Sequence, residues 1–219
     1  MYRTIIEKLI LPAGDIISGT EIARQLRYWR KIAKLPEDNI NQLSRSNLNQ
    51  MLDYATKSVP FYSDIRLGHI REPEERLLSF PIMQKEDIRN NLDDLLVIRK
   101  SDLIEYSSSG SSGIQGTVYM NKKEQSIIRA IMLLWWEWAG YYPGKPTLQT
   151  GMTLERGFLK GVKDLLFDIN YIQAFNIDEK IVATVLEKFR GRENLFLAGY
   201  ASSLNVYAET CINNTIKDV

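Results

Sequence analysis

The sequence predicts an α/β protein, with a helical N-terminal segment followed by a mainly parallel sheet flanked by helices. Three observations lead there. Apolar residues recur at helical spacing between residues 20 and 57. Beyond residue 101, short apolar runs bounded by glycine alternate with amphipathic stretches, the order that builds parallel strands with crossover helices. Between these regions lies Tyr106 to Thr117, with five serines and three glycines in twelve residues and a short β-like run on each side. Residues 1–100 are expected to be mostly helical, and 101–219 to form an α/β nucleotide-binding portion that begins with this Ser/Gly loop.

In chain order, Met1 to Leu11 carries Arg3, Glu7 and Lys8 among its apolar residues and lacks the pattern of a signal peptide. From Thr20 to Leu35, Ile22, Ala23, Leu26, Trp29, Ile32 and Ala33 form one face of a helix with basic residues on the others, and Pro36 helps to stop it. A second helix is expected over Ser46 to Lys57, before an extended Val59-Pro60-Phe61-Tyr62. Phe80-Pro81-Ile82 reads as extended and the residues up to Arg89 as a short polar helix. Leu92 to Ile98 reads as a helix end or a short strand.

Leu103 to Tyr106 and Thr117 to Met120 are the expected strands entering and leaving the loop. Asn121 and Glu124 form a capping-box pair opening a helix from Lys122 to about Ala139. Trp135, Trp136 and Trp138 lie on that helix and cannot share one face at 100° per residue, so at least one should meet a second surface such as a domain partner or pocket wall, while core packing is the expectation for any single one. Strands follow at Thr147 to Thr150, Tyr171 to Phe175 and Asn194 to Tyr200. They are separated by helices at Leu159 to Leu166 and after an Asp178 cap, the second with Ile181, Val182, Val185, Leu186 and Phe189 inward, and a last helix is expected from Ser203 to about Ile216. Ligands are expected near the carboxyl ends of such strands, and the Ser/Gly loop fits that expectation.

Composition narrows the function classes. Lys plus Arg (28) balances Asp plus Glu (27), which argues against wholesale attraction to nucleic acid or a membrane surface. The most apolar run, Ile127 to Ala139, holds thirteen residues against the roughly 20 of a membrane span. Cys211 and His69 are each the single residue of their type, which leaves no intramolecular disulfide and no Cys/His zinc set, and fits a reducing, cytoplasmic setting. Cys211 is expected as a half-buried apolar residue on the last helix and His69 as a loop residue.

The loop is composed to hold an anion. Glycines let the backbone approach a ligand, and serine hydroxyls with successive N–H groups supply donors. The alternative is a flexible Gly/Ser linker. No lysine follows Gly116, so the Walker A pattern fails, and the glycines lead into a strand, so the dinucleotide fingerprint fails.

Ser108-Ser109-Gly110-Ser111-Ser112-Gly113 does resemble the Ser/Thr/Gly phosphate loop of AMP-forming adenylating enzymes. Four flanking segments are similar to the phenylacetate-CoA ligase and CapK-like family: Val59 to Tyr62, Phe80 to Arg89, Trp136 to Tyr141 and Leu197 to Leu204. The resemblance implies part of the large N-terminal domain of an adenylate-forming enzyme, acting as a carboxylate-CoA ligase through an acyl adenylate. It further implies ATP, Mg2+ and coenzyme A, a small-molecule carboxylic acid substrate, and Ser108, Ser109, Gly110, Ser111, Ser112 and Gly113 as the ATP-phosphate cradle.

Ile114 and Gln115 stand where the family often has lysine and proline, which implies weaker nucleotide affinity. The family's later segments, including a ribose-binding aspartate and a C-terminal domain with a catalytic lysine, have no counterpart before Val219. The chain therefore reads as a truncated N-terminal part, not active alone, with a homodimer or a separate chain supplying the missing C-terminal half as expected partners. Two alternatives stay open: a noncatalytic nucleotide- or partner-binding module, and adenylyl transfer to a non-acyl acceptor.

Overall fold

A computed structural model describes residues 2–108, 115–151, 158–174, 179–192 and 194–213. The protein is α/β, with a helical N-terminal region and a parallel sheet flanked by helices. The chain groups into two compact units, one comprising Gly19–Ile131 and the other Met1–Ser18 with Met132–Val219.

The unit of residues 19–131 follows two helices of the other unit, α1 (Tyr2–Ile5) and α2 (Leu11–Ser18), which are joined by a π-helical turn over Ile6–Ile10. Its first helix is α3 (Ile22–Ile32), with Ala23 and Leu26 buried as the apolar spacing requires. The next, α4, spans Glu37–Ser58 and is longer than the expected Ser46 to Lys57. Pro36 both ends one helix and opens the next, because Glu37 and Asp38 fall in the first turn, where the helix dipole favours acidic groups. The added turns are solvent-facing and carry no apolar stripe for sequence periodicity to detect.

Val59 is extended as expected, but Pro60–Tyr62 closes into a 3₁₀ turn, bringing the Tyr62 ring within 5.1 Å of Phe61 and 5.2 Å of Phe80. Short helix α5 (Pro73–Leu77) is tied to α4 by Arg76 to Asp53 and Asn49, and by Arg45 to Glu72 and Glu74. The polar helix α6 (Lys85–Asn90) starts at a reciprocal Gln84/Asp87 capping box, and α7 (Leu92–Leu95) follows. His69 is an exposed loop residue.

Strands β1 (Ile104–Ser107) and β2 (Thr117–Met120) pair antiparallel, in register from Ile104 opposite Met120 to Ser107 opposite Thr117. Helix α8 (Lys122–Trp138) starts at the expected capping box: Asn121 Oδ1 accepts from the Lys123 and Glu124 N–H groups, each at 2.9 Å, and Glu124 Oε2 accepts from Asn121 N–H at 2.8 Å.

In the other unit, β3 (Thr147–Gly151) lies between β4 (Ile169–Gln173) and β5 (Phe196–Ala198), and both pairings are parallel. Helices α9 (Phe158–Leu166), α10 (Glu179–Glu187) and α11 (Ala201–Asn213) provide the crossovers and the end of the unit. Leu148, Val182, Leu186, Phe189 and Tyr207 form the core, with Cys211 packed half-buried against it. The Asp178 cap and residues 214–216 lie outside the described residues, while the expected inward positions Val182, Leu186 and Phe189 are buried. Ile181, also expected inside, is 44% exposed.

The tryptophans divide sharply. Trp136 packs its ring 5.4 Å from Tyr141 and 5.9 Å from Phe196, whereas Trp135 and Trp138 are 57% and 68% exposed. Core packing, the expectation for any one of them, holds only for Trp136, because the 100° step between neighbours turns Trp135 away from the apolar side. Among the described residues no helix is long and apolar enough to cross a membrane.

Candidate functional site

The parallel sheet does not present the Ser/Gly loop at a strand's carboxyl end, and this corrects the sequence expectation. The loop instead joins the antiparallel strands β1 and β2, which form a two-stranded sheet of their own. Alternating elements imply a parallel sheet only from β3 onward. The two runs around the loop are joined by few enough residues for a hairpin, which needs no crossover.

Ser109, Gly110, Ser111, Ser112 and Gly113 lie outside the described residues, whereas Ser108 is described. Ser108 closes the base of the loop. Its N–H donates to Gly116 C=O at 2.8 Å, and its Oγ accepts from Gly116 N–H at 2.9 Å. One strand position further down, the Ser107 and Thr117 hydroxyls are 3.2 Å apart. An accepting hydroxyl keeps its own hydrogen, so Ser108 can still donate to a ligand while it holds the neck.

The hairpin is anchored on both strands. Tyr106 hydroxyl accepts from the Gln125 side chain on α8, and Tyr119 hydroxyl donates to Glu105 Oε2 at 3.1 Å. Gln125 and Ser126 are buried, and Ser126 Oγ accepts from Glu21 N–H at 3.0 Å, which fixes the start of α8 to the entry of α3.

A pocket of about 280 Å³ opens along this hairpin, with Gln115, Gly116, Thr117, Val118 and Tyr119 on one side and α6, α7 and Lys100 on the other. Three of its lining residues are cationic: Lys85, Arg89 and Lys100. Gly116 faces this cationic side. A Cβ built on it would lie 3.7 Å from Lys85 Cε and 3.5 Å from Ser108 Oγ, so the lysine stem runs beside the loop's exit. Lys100 Nζ sits over the Tyr119 ring, 5.1 Å from its centre. The Tyr119 hydroxyl, and then the charges of Glu105 and Asp93, hold the Lys100 ammonium above its ordinary pKa, so it is charged at neutral pH.

Neither Lys85 nor Arg89 stood out in the sequence. A helix of six residues with mixed charge reads as a solvated face, and only its placement against the hairpin gathers these cations beside the loop. The available signal was the segment Phe80 to Arg89 itself, which carries both residues. Among the described residues, no group of three or more His, Cys, Asp or Glu side chains is placed to hold a metal ion.

No protein-family model matches the chain. It is 24% identical over 201 residues to Protein CapK of Staphylococcus aureus, an alignment that covers 87% of this chain and 44% of that protein. The chain thus spans less than half the length of the curated relative it matches. At this level of identity, the chain is similar in sequence to Protein CapK across most of its own length.

Proposed function

We propose that this chain is the nucleotide-phosphate-holding part of an adenylate-forming enzyme, of the carboxylate-CoA ligase type. The observation that carries the reading is the Ser/Gly hairpin loop, clasped at its neck by Ser108 and Gly116 and flanked by Lys85. Similarity to Protein CapK over 87% of the chain supports it.

The described residues fit a polyphosphate. The Ser108–Gly116 neck brackets a sequence rich in hydroxyl and N–H donors, and Lys85 brings a cation from α6 beside Gly116, while Ile114 stands in the sequence for the lysine usual in related loops. ATP bound there would supply the electrophilic phosphorus. The chain's part is to hold and orient the phosphates and to offset negative charge on the side of the leaving group. Ser108, Ser109, Ser111 and Ser112 would donate hydroxyls, and Gly110 and Gly113 would offer N–H groups. Mg2+ bound with the nucleotide would offset part of the phosphate charge. Coenzyme A and a small-molecule carboxylic acid would be substrates of the whole enzyme.

The test is ATP–pyrophosphate exchange with a panel of aryl and acyl carboxylates. We expect no exchange from this chain alone and exchange once the remaining part is supplied; robust exchange from the 219 residues alone would overturn the partial-enzyme reading. Replacing Ser111 and Ser112 together by alanine should weaken ATP binding by about 1–3 kcal/mol. Unchanged affinity would return the loop to a linker.

A second reading, a partner-binding module, is favoured by exposed apolar residues after Met132. Trp138, Leu165 and Ile212 are 68%, 80% and 77% exposed. Stable nucleotide binding without exchange, under every combination of acid and added remainder, would select it.

A further inference from the structure

We propose that the exposed face of α3 docks on an anionic lipid bilayer. The proposal is independent of the nucleotide reading, because no residue of the Ser/Gly loop or of the pocket beside it takes part. Sequence, burial and pairing on this helix each bear on it.

From Ile22 to Leu35 the chain carries five cations and no acid. Buried Leu26 and half-buried Trp29 mark the inner side of α3. Arg24, Arg27, Tyr28 and Lys31 are exposed and fall within an arc of about 100° on the side away from them. A tightened turn, in which Lys34 and Leu35 N–H donate to Lys31 and Ile32 C=O at 3.1 and 3.0 Å, extends this exposed row to Lys34 and Leu35.

The cations differ in pairing. Arg24 is held by Glu21 in the turn before the helix, whereas the side chains of Arg27, Lys31 and Lys34 make no hydrogen bond or ion pair among the described residues. The next acids in the sequence, Glu37 and Asp38, lie beyond Pro36 in the first turn of α4. Over the whole chain, 28 basic residues nearly cancel 27 acidic ones, so attraction to an anion is a property of this face and not of the net charge.

Composition selects a bilayer over a nucleic acid. Tyr28 and Leu35, 45% and 39% exposed, stand among the cations. A tyrosine ring sits well at headgroup level, a leucine beside it reaches the acyl boundary, and lysine and arginine stems extend their charges to the lipid phosphates. A single-stranded nucleic acid would call for a row of stacking rings, where this face offers Tyr28, and would leave Leu35 unused. Each Lys or Arg near an anionic surface raises partition about fivefold, so Arg27, Lys31 and Lys34 together give about a hundredfold. Docking of that strength is reversible and salt-sensitive.

Flotation of the full chain with lipid vesicles tests the surface. The chain should rise with phosphatidylcholine vesicles containing about 30% phosphatidylglycerol, stay behind with phosphatidylcholine alone, and be released by high salt. Arg27→Gln, Lys31→Gln and Lys34→Gln combined should weaken binding to the anionic vesicles about a hundredfold. All three side chains are exposed, so this variant should fold, and unchanged circular dichroism would verify it. Combining Arg71→Gln, Lys123→Gln and Lys188→Gln, also at exposed positions, removes the same charge elsewhere and should leave vesicle binding intact. Equal losses in the two triple variants would reduce the effect to net charge and overturn the docking surface. Failure to bind anionic vesicles would overturn it outright, and mixed-sequence RNA or duplex DNA held through the three cations, with no vesicle binding, would replace the bilayer by a nucleic acid.

Discussion

The β1–β2 hairpin and the β3–β4–β5 sheet are built from opposite materials. In the hairpin, β1 is mostly exposed and the strands are held by their ladder and by polar pairs: Ser107 with Thr117, Glu105 with Tyr119, and Tyr106 with Gln125. In the parallel sheet, Thr147, Leu148, Thr150 and Gly151 of β3 are buried, and stability comes from apolar side chains packed on it. The contrast separates two jobs. Local polar bonds can position a ligand loop at little energetic consequence to the fold, whereas the buried sheet sets the cooperative stability of its own unit.

The sharpest way to break that comparison is at the core. Leu186 is 2% exposed within the cluster around Leu148, so Leu186→Ala should cost about 2–5 kcal/mol in chemical denaturation through lost burial and a residual cavity. A loss under 1 kcal/mol would mean that the core closes over the gap and that the sheet is less tightly determined than its burial implies.

A smaller effect is expected at the neck. Ser108→Ala removes the acceptor of Gly116 N–H at an exposed site, so it should cost about 1 kcal/mol or less. The loss should show as faster amide exchange at Gly116 and weaker ATP binding, with the main unfolding transition unmoved. A shift in global unfolding as large as that of Leu186→Ala would erase the distinction between the two regions.

The smallest effect lies back in the core. Tyr207 is buried, and its hydroxyl has no hydrogen-bond partner among the described residues. Burial pushes its phenol up to about 12, and the Tyr141 phenol likewise, with the charge of Glu137 adding to the effect at Tyr141. A raised folded-state value means that this stability is fully present below the unfolded tyrosine pKa of about 10 and is lost as pH rises from there toward 12. Tyr207→Phe should therefore be neutral or slightly stabilising at pH 7, and should shrink the alkaline loss measured by denaturation at pH 10 to 12. A clear destabilisation at pH 7 would show that the hydroxyl has a partner after all.

Local chemistry made much of the fold readable. The Asn121/Glu124 box opens α8 and the apolar spacing marks α3, because both signals depend on residues within two turns of one another. The polar first half of α4 was not readable, since an exposed helix needs no apolar stripe and declares itself only through its Pro36 entry and acidic first turn. The fates of the three tryptophans on α8 were not readable either: periodicity says that they diverge but not which of them finds Tyr141 and Phe196.

The sequence by itself determined the α/β class, the composition of the Ser/Gly loop and the strands that bracket it, because turn chemistry and alternation are properties of neighbouring residues. Only the tertiary structure decided that these strands close on each other as an antiparallel hairpin, and that Lys85, Arg89 and Lys100 gather beside its neck. Strand pairing and charge convergence depend on residues tens of positions apart in the chain, and the packing of helices against the hairpin brings them together.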